Sequence, residues 1–418
     1  MNDPQPRLIP YRWELIILLW LAFFFNQADR QIFNVVLPLI REDLKLTDVQ
    51  LGLIASVFTW TLGMLIPFAG YAGDVLRRKW IIVASLLIWS SATLFTGFSS
   101  GMIHLLLFRG VTAGGEAFYA PSANALIGEH HHRTRAQALA IHQTSLYAGV
   151  IASGLVAGWI GERYGWPAAF YSFGLLGVAL AVIAAFRMQD RSAREQDRHD
   201  EERIALTASL RAVFQKPTAV LLTLAFTGVV FVNVGYLTWM PAFLHEKFRL
   251  TLPQAGFSSM FFHHVAAFAG VLASGRISDL WAPKREPVRL ELECAGLLLG
   301  APFIYLMGAA DELILVFVAL AGFGLMRGVY DANIYAALFD VIEPKFRSSA
   351  AGIMASFAFL AGASAPLLLG WVKGRFGLDI GLSLLSIVYL LSAAAVFAAR
   401  RVYFTRDYYR EAPMPLRV

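Results

Sequence analysis

The chain has 418 residues, of which 57% are hydrophobic and 15% are charged. Soluble globular proteins carry about 25% charged and about 45–50% apolar residues, so the composition excludes a soluble domain and predicts a membrane protein. The single cysteine, Cys294, excludes an internal disulfide framework and a cysteine-rich metal site. We expect no metal ion, no cofactor and no nucleic-acid partner, and we attribute the net charge of +6 to membrane topology.

Twelve apolar stretches are long enough to cross a lipid bilayer, which takes about 20 residues in a helix. The polar N-terminus is short and the run after it is long enough to span, so we expect a retained helix rather than a cleaved signal peptide. The predicted fold class is an all-α membrane protein with twelve transmembrane helices. The predicted spans are 14–39, 49–73, 80–98, 101–128, 136–161, 167–187, 218–244, 254–281, 290–309, 312–340, 348–373 and 379–399.

A charged stretch separates the first six spans from the last six. We predict an N-terminal six-helix bundle over 1–187, a cytoplasmic charged linker over 188–216 and a C-terminal six-helix bundle over 217–400. Residues 401–418 form a cytoplasmic tail. The linker is expected to be solvated and partly helical.

Positive charges orient the predicted spans. Lys and Arg are concentrated in alternate loops, most densely at Arg77-Arg78-Lys79 between the second and third spans. Because loops rich in Lys and Arg stay on the cytoplasmic side, we place both termini in the cytoplasm.

The two halves of the chain repeat a pattern. The segment Gly70-Tyr71-Ala72-Gly73-Asp74 follows span two, and Gly275-Arg276-Ile277-Ser278-Asp279 follows span eight, 205 positions later. Arg135 and Arg347 each open the span after a cytoplasmic loop, 212 positions apart. Two repeated bundles predict a pseudo-symmetric fold with a binding site near the membrane midplane.

Charged residues interrupt the first and fourth spans. Asp29 and Arg30 lie side by side near the middle of the first span, and Glu116 lies in the fourth. A charge at the bilayer centre costs about 2.5–3.5 kcal/mol even on the lenient insertion scale, and such residues usually mark an ion or substrate path. Desolvation favours the protonated form of a carboxylate, so Asp29 and Glu116 are candidate proton-coupling residues. The alternative is a structural pair with Arg30 or Arg109, which would keep the carboxylate ionised.

Arg30 is the first candidate for binding a substrate anion. Its planar guanidinium matches a carboxylate with two parallel hydrogen bonds. The alternative is a permanent ion pair with Asp29 or Glu116. The two interpretations are compatible, because protonation of the carboxylate would free the arginine for a substrate.

A second charged set, Arg327 and Asp331, lies in span ten. The two residues are four positions apart and therefore share a helical face. The 212-residue repeat places Arg327 opposite Gly115, one residue from Glu116. We predict a second anion contact at Arg327 and a proton-coupling or gating role for Asp331, with a self-satisfied intrahelical pair as the alternative.

Histidines interrupt two further apolar runs, at His142 in span five and at His263-His264 in span eight. Histidine titrates near physiological pH, so a proton relay through His142 is one interpretation and hydrogen-bonded packing is the other. The run His130-His131-His132 lies in a short basic loop without a second ligand cluster, and we expect a solvated loop rather than a metal site.

Polar and aromatic residues at similar depth complete the predicted substrate-binding set. Tyr and Trp also form interfacial belts in membrane proteins, which is the alternative for the aromatic members. Glycines in span five (Gly149, Gly154 and Gly158) permit close helix packing. The predicted lining residues are Asn26, Asn34, Tyr119, Asn233, Tyr236, Trp239, Tyr330 and Asn333.

The loop segment Gly70 to Lys79 resembles the signature Gly-x-x-x-Asp-Arg-x-Gly-Arg-Lys of the major facilitator superfamily. Val75 and Arg77 depart from that pattern, whereas Asp74, Arg78 and Lys79 match it. In the family this loop latches the two bundles on the cytoplasmic side. The run from Arg109 to Gly115 in span four resembles a second signature of the same superfamily. The resemblance implies gating roles for the residues Asp74, Arg78, Lys79, Arg109 and Asp279.

Narrower motifs resemble two branches of that superfamily. Asp29-Arg30, Gly115-Glu116-Ala117 and Gly165-Trp166 are similar to elements of the anion:cation symporter branch, which carries organic acids, and of the spinster-like branch, which is linked to lysolipids and sphingolipids. The run Gly235 to Pro241 in span seven favours the organic-acid branch.

The resemblance implies proton-coupled symport of a small organic anion, such as a carboxylate or sugar acid, by alternating access. A lysolipid or sphingolipid carrier is the alternative. A non-transporting receptor or a membrane enzyme is a third class, but the sequence shows no nucleophile–base arrangement or phosphate loop. We expect a monomer in a bacterial-type inner (plasma) membrane, with protons, a small organic anion and the lipid bilayer as partners.

Overall fold

The computed structural model describes residues 10–131, 134–189 and 206–409, without the side chains of residues 70, 71, 73–75 and 206. Throughout these ranges the chain forms helices and connecting segments and no strand. The prediction of an all-α chain is therefore confirmed.

Seven helices make up the first half of the chain: α1 (Tyr11–Leu44), α2 (Asp48–Val75), α3 (Arg78–Thr96), α4 (Met102–Ala117), α5 (Tyr119–His130), α6 (Arg135–Tyr164) and α7 (Trp166–Arg187). The second half begins with the short α8 (Leu206–Phe214), which gives the end of the predicted linker a helical structure. It continues with α9 (Pro217–Phe248), α10 (Leu252–Trp281), α11 (Val288–Ala309), α12 (Leu313–Asp331), α13 (Ile334–Phe339), α14 (Arg347–Gly362), α15 (Ala365–Phe376), α16 (Leu378–Ala398) and α17 (Phe404–Asp407). Residues 190–205 of the predicted linker lie outside the described residues.

Among the described residues, ten helical stretches are long and apolar enough to cross a membrane, and they correspond to ten of the twelve predicted spans. The other two predicted spans are α1 and the pair α4–α5. These are the spans that contain Asp29, Arg30 and Glu116. The polar residues lower the apolar character of α1, and a break at Phe118 divides the fourth span into two shorter helices.

Similar breaks occur at two places in the second half. The tenth predicted span is divided between α12, which ends at Asp331, and α13, which begins at Ile334. The eleventh is divided between α14 and α15. The breaks in the fourth and tenth spans directly follow a carboxylate, Glu116 in one case and Asp331 in the other. Discontinuous helices of this kind form the binding sites of many secondary transporters.

The structure comprises two compact units. The first contains Met1–Asp197, Asn233–His264 and Ala363–Gly381. The second contains Arg198–Val232, Val265–Gly362 and Leu382–Val418. Segments of α9, α10 and α16 and the whole of α15 thus belong to the first unit, so the compact units do not coincide with the two sequence halves. The boundaries proposed from the sequence stay a prediction.

Glycines allow α6 to approach two other helices of the first unit. A Cβ atom on Gly149 would meet the carbonyl oxygen of Phe24 on α1 at 2.5 Å, and one on Gly154 would meet the carbonyl oxygen of Gly256 on α10 at 2.5 Å. Real Cβ atoms do not approach this closely. The close packing expected from the glycines of span five is therefore present.

Four charged residues join three parts of the first unit. Lys373 on α15 lies 3.3 Å from Asp48 at the start of α2 and 2.7 Å from Glu246 near the end of α9. Arg41 near the end of α1 contacts the same two carboxylates at 3.6 and 3.3 Å. We call these four residues the ionic group. The predicted topology places it on the side of the membrane that faces away from the cytoplasm.

Candidate functional site

Arg30 on α1 and Glu116 on α4 form a direct ion pair. The Nε–H of Arg30 donates a hydrogen bond to Oε2 of Glu116 at 2.5 Å. The Glu116 side chain is fully buried, whereas the Arg30 side chain keeps 25% of its exposure. The cationic partner is therefore the accessible one, and the other carboxyl oxygen, Oε1, has no hydrogen-bond partner among the described residues.

The position of Glu116 depends on the glycine before it. A Cβ atom on Gly115 would meet the backbone nitrogen of Trp89 at 2.9 Å and the carbonyl oxygen of Ser85 at 3.1 Å. Only a glycine allows α4 to lie this close to α3. Since α4 ends one residue after Glu116, the carboxylate lies at the C-terminal end of its helix.

Asp29 has a different partner from that of Arg30. The side chain is 1% exposed, and its Oδ2 accepts a hydrogen bond from the Thr93 hydroxyl on α3 at 3.2 Å. The second oxygen, Oδ1, has no hydrogen-bond partner in the described part of the chain. The carboxyl group of Asp29 is therefore buried with a single hydrogen bond, and Oδ1 has capacity for a proton.

Arg109 adds a second guanidinium to this group of side chains. It is 4% exposed and lies 4.4 Å from the ring centroid of Phe58 and 5.1 Å from that of Phe33. These are cation–π contacts. Its Nε has no hydrogen-bond partner among the described residues. Arg109 interacts electrostatically with Asp29, Glu116 and Arg30, so the predicted gating residue lies beside the predicted proton-coupling residues.

Two carboxyl groups and two guanidinium groups thus lie close together in the first unit, and we call Asp29, Arg30, Arg109 and Glu116 the charge cluster. One direct ion pair joins Arg30 to Glu116. Three polar atoms of the cluster, Oδ1 of Asp29, Oε1 of Glu116 and Nε of Arg109, lack hydrogen-bond partners among the described residues. The cluster therefore has unused capacity for a proton and for an anion.

Tyr119 and His142 form a separate pair. The Tyr119 hydroxyl donates to the backbone oxygen of Leu19 at 2.6 Å and lies 3.2 Å from Nε2 of His142. Because the single hydroxyl proton is directed to Leu19, we infer that Nε2 of His142 is the donor in the second bond. The His142 ring also stacks on Phe23 at 4.8 Å. Tyr119 is fully buried, and both residues act in packing; their roles in substrate binding and proton coupling stay predictions.

Asn26 and Asn34 pair with neighbouring amides on α1. The Oδ1 of Asn26 accepts from Gln27 Nε2 at 2.9 Å, and the Nδ2 of Asn34 donates to Gln31 Oε1 at 2.9 Å. One polar atom of each asparagine has no partner among the described residues. Gln27 and Gln31 were not singled out by the sequence analysis, although they belong to the same polar run as Asp29.

Thr93 and Phe58 were also missed. They contact Asp29 and Arg109 respectively, but each lies in an apolar helix where a threonine or a phenylalanine is ordinary. No feature of the sequence could have distinguished them.

Two of the predicted lining residues of α9 donate hydrogen bonds to backbone oxygens of other helices. The Tyr236 hydroxyl donates to the Ser259 backbone oxygen on α10, and Nε1 of Trp239 donates to the Pro366 oxygen on α15 at 3.0 Å. Both aromatic side chains are fully buried. Asn233 precedes Tyr236 by three residues on the same helix. The rings of Tyr236 and His263 lie 4.9 Å apart.

Arg327 and Asp331 form the intrahelical pair that the sequence left as an alternative. The Nε of Arg327 donates to Oδ2 of Asp331 at 3.1 Å. Nearby, Tyr330 is fully buried, and Nδ2 of Asn333 donates to the Ser274 hydroxyl at 2.8 Å. These residues belong to the second unit, whereas the charge cluster belongs to the first.

The predicted gating residues lie in different surroundings. Arg78 forms an ion pair with Glu129 at the end of α5, and Lys79 lies 4.9 Å from the ring centroid of Trp80. Asp279 is exposed in the last turn of α10. The side chain of Asp74 lies outside the described residues.

The expectation of a solvated histidine loop is wrong for His131. This residue is 1% exposed, its Nδ1 lies 2.9 Å from the Thr134 hydroxyl, and its Nε2 lies 2.9 Å from the backbone oxygen of Arg12. The ring therefore ties the start of α6 to α1. His132 lies outside the described residues, and no group of three metal-ligating side chains occurs among those described.

The family follows from comparison with known proteins. Residues 19–366 match the Major Facilitator Superfamily. The chain belongs to this family. It is a multi-pass membrane transporter and not an enzyme.

The relatives include both branches that the motifs resemble. Protein spinster homolog 1 of Xenopus tropicalis is 28% identical over 384 residues, which cover 86% of this chain and 73% of the relative. The probable galactarate/D-glucarate transporter of Bacillus subtilis (strain 168) is 24% identical over 408 residues, which cover 90% of this chain and 88% of the relative.

A solved structure shares the fold. The bacterial homologue of the human lysosomal transporter spinster, in an inward-facing and unoccupied conformation, superposes with a TM-score of 0.86 at 22% identity. The match covers 96% of this chain and 99% of the other. The predicted major facilitator fold is thereby confirmed.

Proposed function

We propose that this transporter carries a small organic anion together with protons by alternating access. The observation that carries the proposal is the Arg30–Glu116 pair, in which the carboxylate is fully buried and the guanidinium is partly exposed. A substrate can therefore reach the arginine but not the carboxylate.

Proton binding and anion binding are linked through this pair. Leaving one partner of a buried ion pair without the other costs about 3–5 kcal/mol. When Glu116 takes up a proton, Arg30 loses its counter-charge, and a substrate carboxylate replaces it. When the substrate leaves, Arg30 again favours the ionised form of Glu116 and the proton is released. Each ligand thus raises the affinity for the other by the same factor.

Asp29 and Arg109 extend the same chemistry. Asp29 lies in the electrostatic field of Glu116, and two neighbouring carboxyl groups do not readily ionise together. A proton on one therefore favours ionisation of the other. Arg109 keeps a positive charge beside Arg30, which favours an anion over a neutral or cationic substrate.

The names of the relatives supply the substrate class. Galactarate and D-glucarate, the substrates in the name of the Bacillus subtilis relative, are sugar acids with two carboxylates. Arg30 suits one carboxylate of such a molecule, because an arginine binds a carboxylate through two parallel hydrogen bonds. The buried Arg109 adds positive charge nearby without direct contact.

Transport by purified protein in proteoliposomes tests the proposal, with radiolabelled D-glucarate as the first of a panel of organic acids. We expect accumulation driven by an inward proton gradient in the wild type. In Arg30→Ala the affinity should fall by about 10-fold or more, because a hydrogen bond to a charged group contributes about 1.5–3 kcal/mol. Arg187→Ala is the matched control, since Arg187 forms an exposed ion pair with Glu14 at 2.6 Å. Equal transport by Arg30→Ala and the wild type would exclude Arg30 as the anion site.

A lysolipid or sphingolipid carrier is the second candidate. It is favoured by the identity to a spinster protein, 28% against 24% for the galactarate/D-glucarate relative. A thermal-shift measurement on purified protein distinguishes the two. Stabilisation by lysophosphatidylcholine and not by D-glucarate would favour the lipid substrate.

We propose an inner (plasma) membrane protein that acts as a monomer with both termini in the cytoplasm. Fusion of a reporter to either terminus, active only in the cytoplasm, tests the orientation.

A further inference from the structure

A further buried carboxyl group lies in the second unit, far along the chain from the charge cluster. Glu293 on α11 is fully buried, and neither of its carboxyl oxygens has a hydrogen-bond partner among the described residues. The proposed function does not use this residue, and the sequence analysis did not identify it.

The internal repeat shows that the fold does not require a carboxylate at this position. Arg78 pairs with Glu129 in the first half, and Arg289 pairs with Asp340 in the second; each pair is 51 positions apart, and the two pairs are related by an offset of 211. The same offset relates Glu293 to position 82. That position holds an isoleucine, which is fully buried in α3. An apolar side chain therefore satisfies packing at the equivalent point of the first half.

An ionised Glu293 would be unstable in this conformation. An isolated charge in an apolar environment costs so much free energy that the group neutralises instead. Even the neutral carboxyl group costs free energy when it is buried without a hydrogen bond, so Glu293 lowers the stability of the fold relative to an apolar side chain. In the described conformation Glu293 therefore holds a proton.

Arg289 is the candidate cationic partner of Glu293, because the two residues are four positions apart on α11 and share a helical face. Arg289 lies one turn earlier on the same helix, and its guanidinium pairs with Asp340 while its Nε has no partner among the described residues. Arg400 is paired with Glu291. Asp340, Cys294 and Tyr330 interact electrostatically with Glu293 itself. Arg400 acts on Cys294, and Asp331 and Tyr389 act on Tyr330.

Two of these neighbours take part in the rearrangement that an ionised Glu293 requires: Tyr330 as a hydrogen-bond donor and Asp340 as the group that gives up Arg289. Tyr330 is fully buried, its hydroxyl has no hydrogen-bond partner among the described residues, and it interacts electrostatically with Glu293. Asp340 lies just beyond α13. Its carboxylate is half-buried and pairs with Arg289. When Arg289 turns to Glu293, Asp340 loses this cation and takes up the proton that Glu293 gives up.

We propose that Glu293 is a second proton-binding site, which is loaded in the described conformation and which exchanges its proton for the guanidinium of Arg289 when that arginine leaves Asp340. The site binds H⁺ alone and needs no organic substrate. Its contribution to transport rests on the proposed proton coupling, but proton binding at Glu293 does not.

Infrared difference spectroscopy on purified protein tests the proton directly. We expect the C=O stretching band of a protonated carboxylic acid in the wild type to lose one component in Glu293→Gln. Glu343→Gln is the control, because Glu343 is exposed and paired with Lys345 at 3.3 Å. An unchanged carboxylic-acid band in Glu293→Gln, together with loss of a carboxylate band, would overturn the proposal.

Thermal unfolding without substrate gives an independent measurement. A group that is protonated in the folded state stabilises the fold at low pH, and this stabilisation is lost as pH rises through its titration. One proton corresponds to about 1.4 kcal/mol per pH unit, so the Tm of the wild type should fall relative to that of Glu293→Gln by about 1.5 °C per pH unit. Parallel curves would contradict the proposal. Glu293→Ile, which copies the first half of the chain, should follow the Glu293→Gln curve.

Transport assays separate this inference from the proposed function. If uptake in the wild type is independent of the proton gradient while the infrared band is present, the symport proposal fails and the Glu293 site stands. If uptake is proton-driven but the infrared and thermal results of Glu293→Gln equal those of the wild type, the Glu293 site fails and symport stands.

Discussion

Asp29 and Arg30 are adjacent in the sequence but contact different helices. Successive residues of an α-helix point about 100° apart, since one turn holds about 3.6 residues. Asp29 consequently meets Thr93 on α3, and Arg30 meets Glu116 on α4. The two residues do not neutralise each other directly. Substitutions at the two positions should therefore affect separate steps of transport.

Glu116→Gln tests the proton step by itself. The amide keeps an acceptor for the Arg30 Nε–H but cannot exchange a proton in the relevant pH range. We expect D-glucarate to exchange across the membrane in counterflow assays, whereas accumulation above the external concentration under a proton gradient is lost. Retained gradient-driven accumulation would show that Glu116 is not the coupling carboxylate.

At the scale of helices, the breaks in the fourth and tenth spans place two candidate carboxylates, Glu116 and Asp331, at helix ends. α4 ends one residue after Glu116, and α12 ends at Asp331. The close approach of α4 to α3 at Gly115 then fixes the depth of Glu116 in the first unit.

Gly115→Ala tests this dependence, with Gly114→Ala as a matched control one residue away. The added methyl group of Gly115→Ala would clash with the Trp89 backbone, whereas that of Gly114→Ala would meet only Leu65 at an ordinary 3.7 Å. Overpacking costs about 1–3 kcal/mol, so we expect a lower Tm and reduced uptake for Gly115→Ala alone. Equal effects of the two changes would show that the α3–α4 contact does not position the site.

At the scale of the whole molecule, the sequence predicted the spans and the buried charges but not their partners. Hydropathy locates Asp29, Arg30 and Glu116 because charges interrupt apolar runs. The choice of Glu116 rather than Asp29 as the partner of Arg30 depends on a contact between residues 86 positions apart, which periodicity does not reveal. The solvated histidine loop was predicted from the basic composition, but His131 bonds to a carbonyl on α1 far away in sequence.

Lys373→Gln tests the ionic group, in which Lys373 and Arg41 contact Asp48 and Glu246. The Lys373 side chain is 8% exposed and bridges Asp48 and Glu246. Removing its positive charge leaves Arg41 as the remaining cation of the ionic group beside these two carboxylates. We expect several-fold faster maleimide labelling of a cysteine placed at buried Leu46 in a Cys294→Ser background. Arg375→Gln, on an exposed part of the same helix, is the control. Unchanged labelling would show that the ionic group does not control access to Leu46.

The ionic group has a consequence for the medium in which the protein works. Dissolved salt shortens the reach of electrostatic attraction, from about 8 Å at 0.15 M to about 3 Å at 1 M. Arg41 and Glu246 are partly open to water, so their share of the attraction weakens as the surroundings become more saline. A more saline medium would thus weaken the contacts that join α1, α9 and α15, and we expect transport to respond to salinity as well as to acidity.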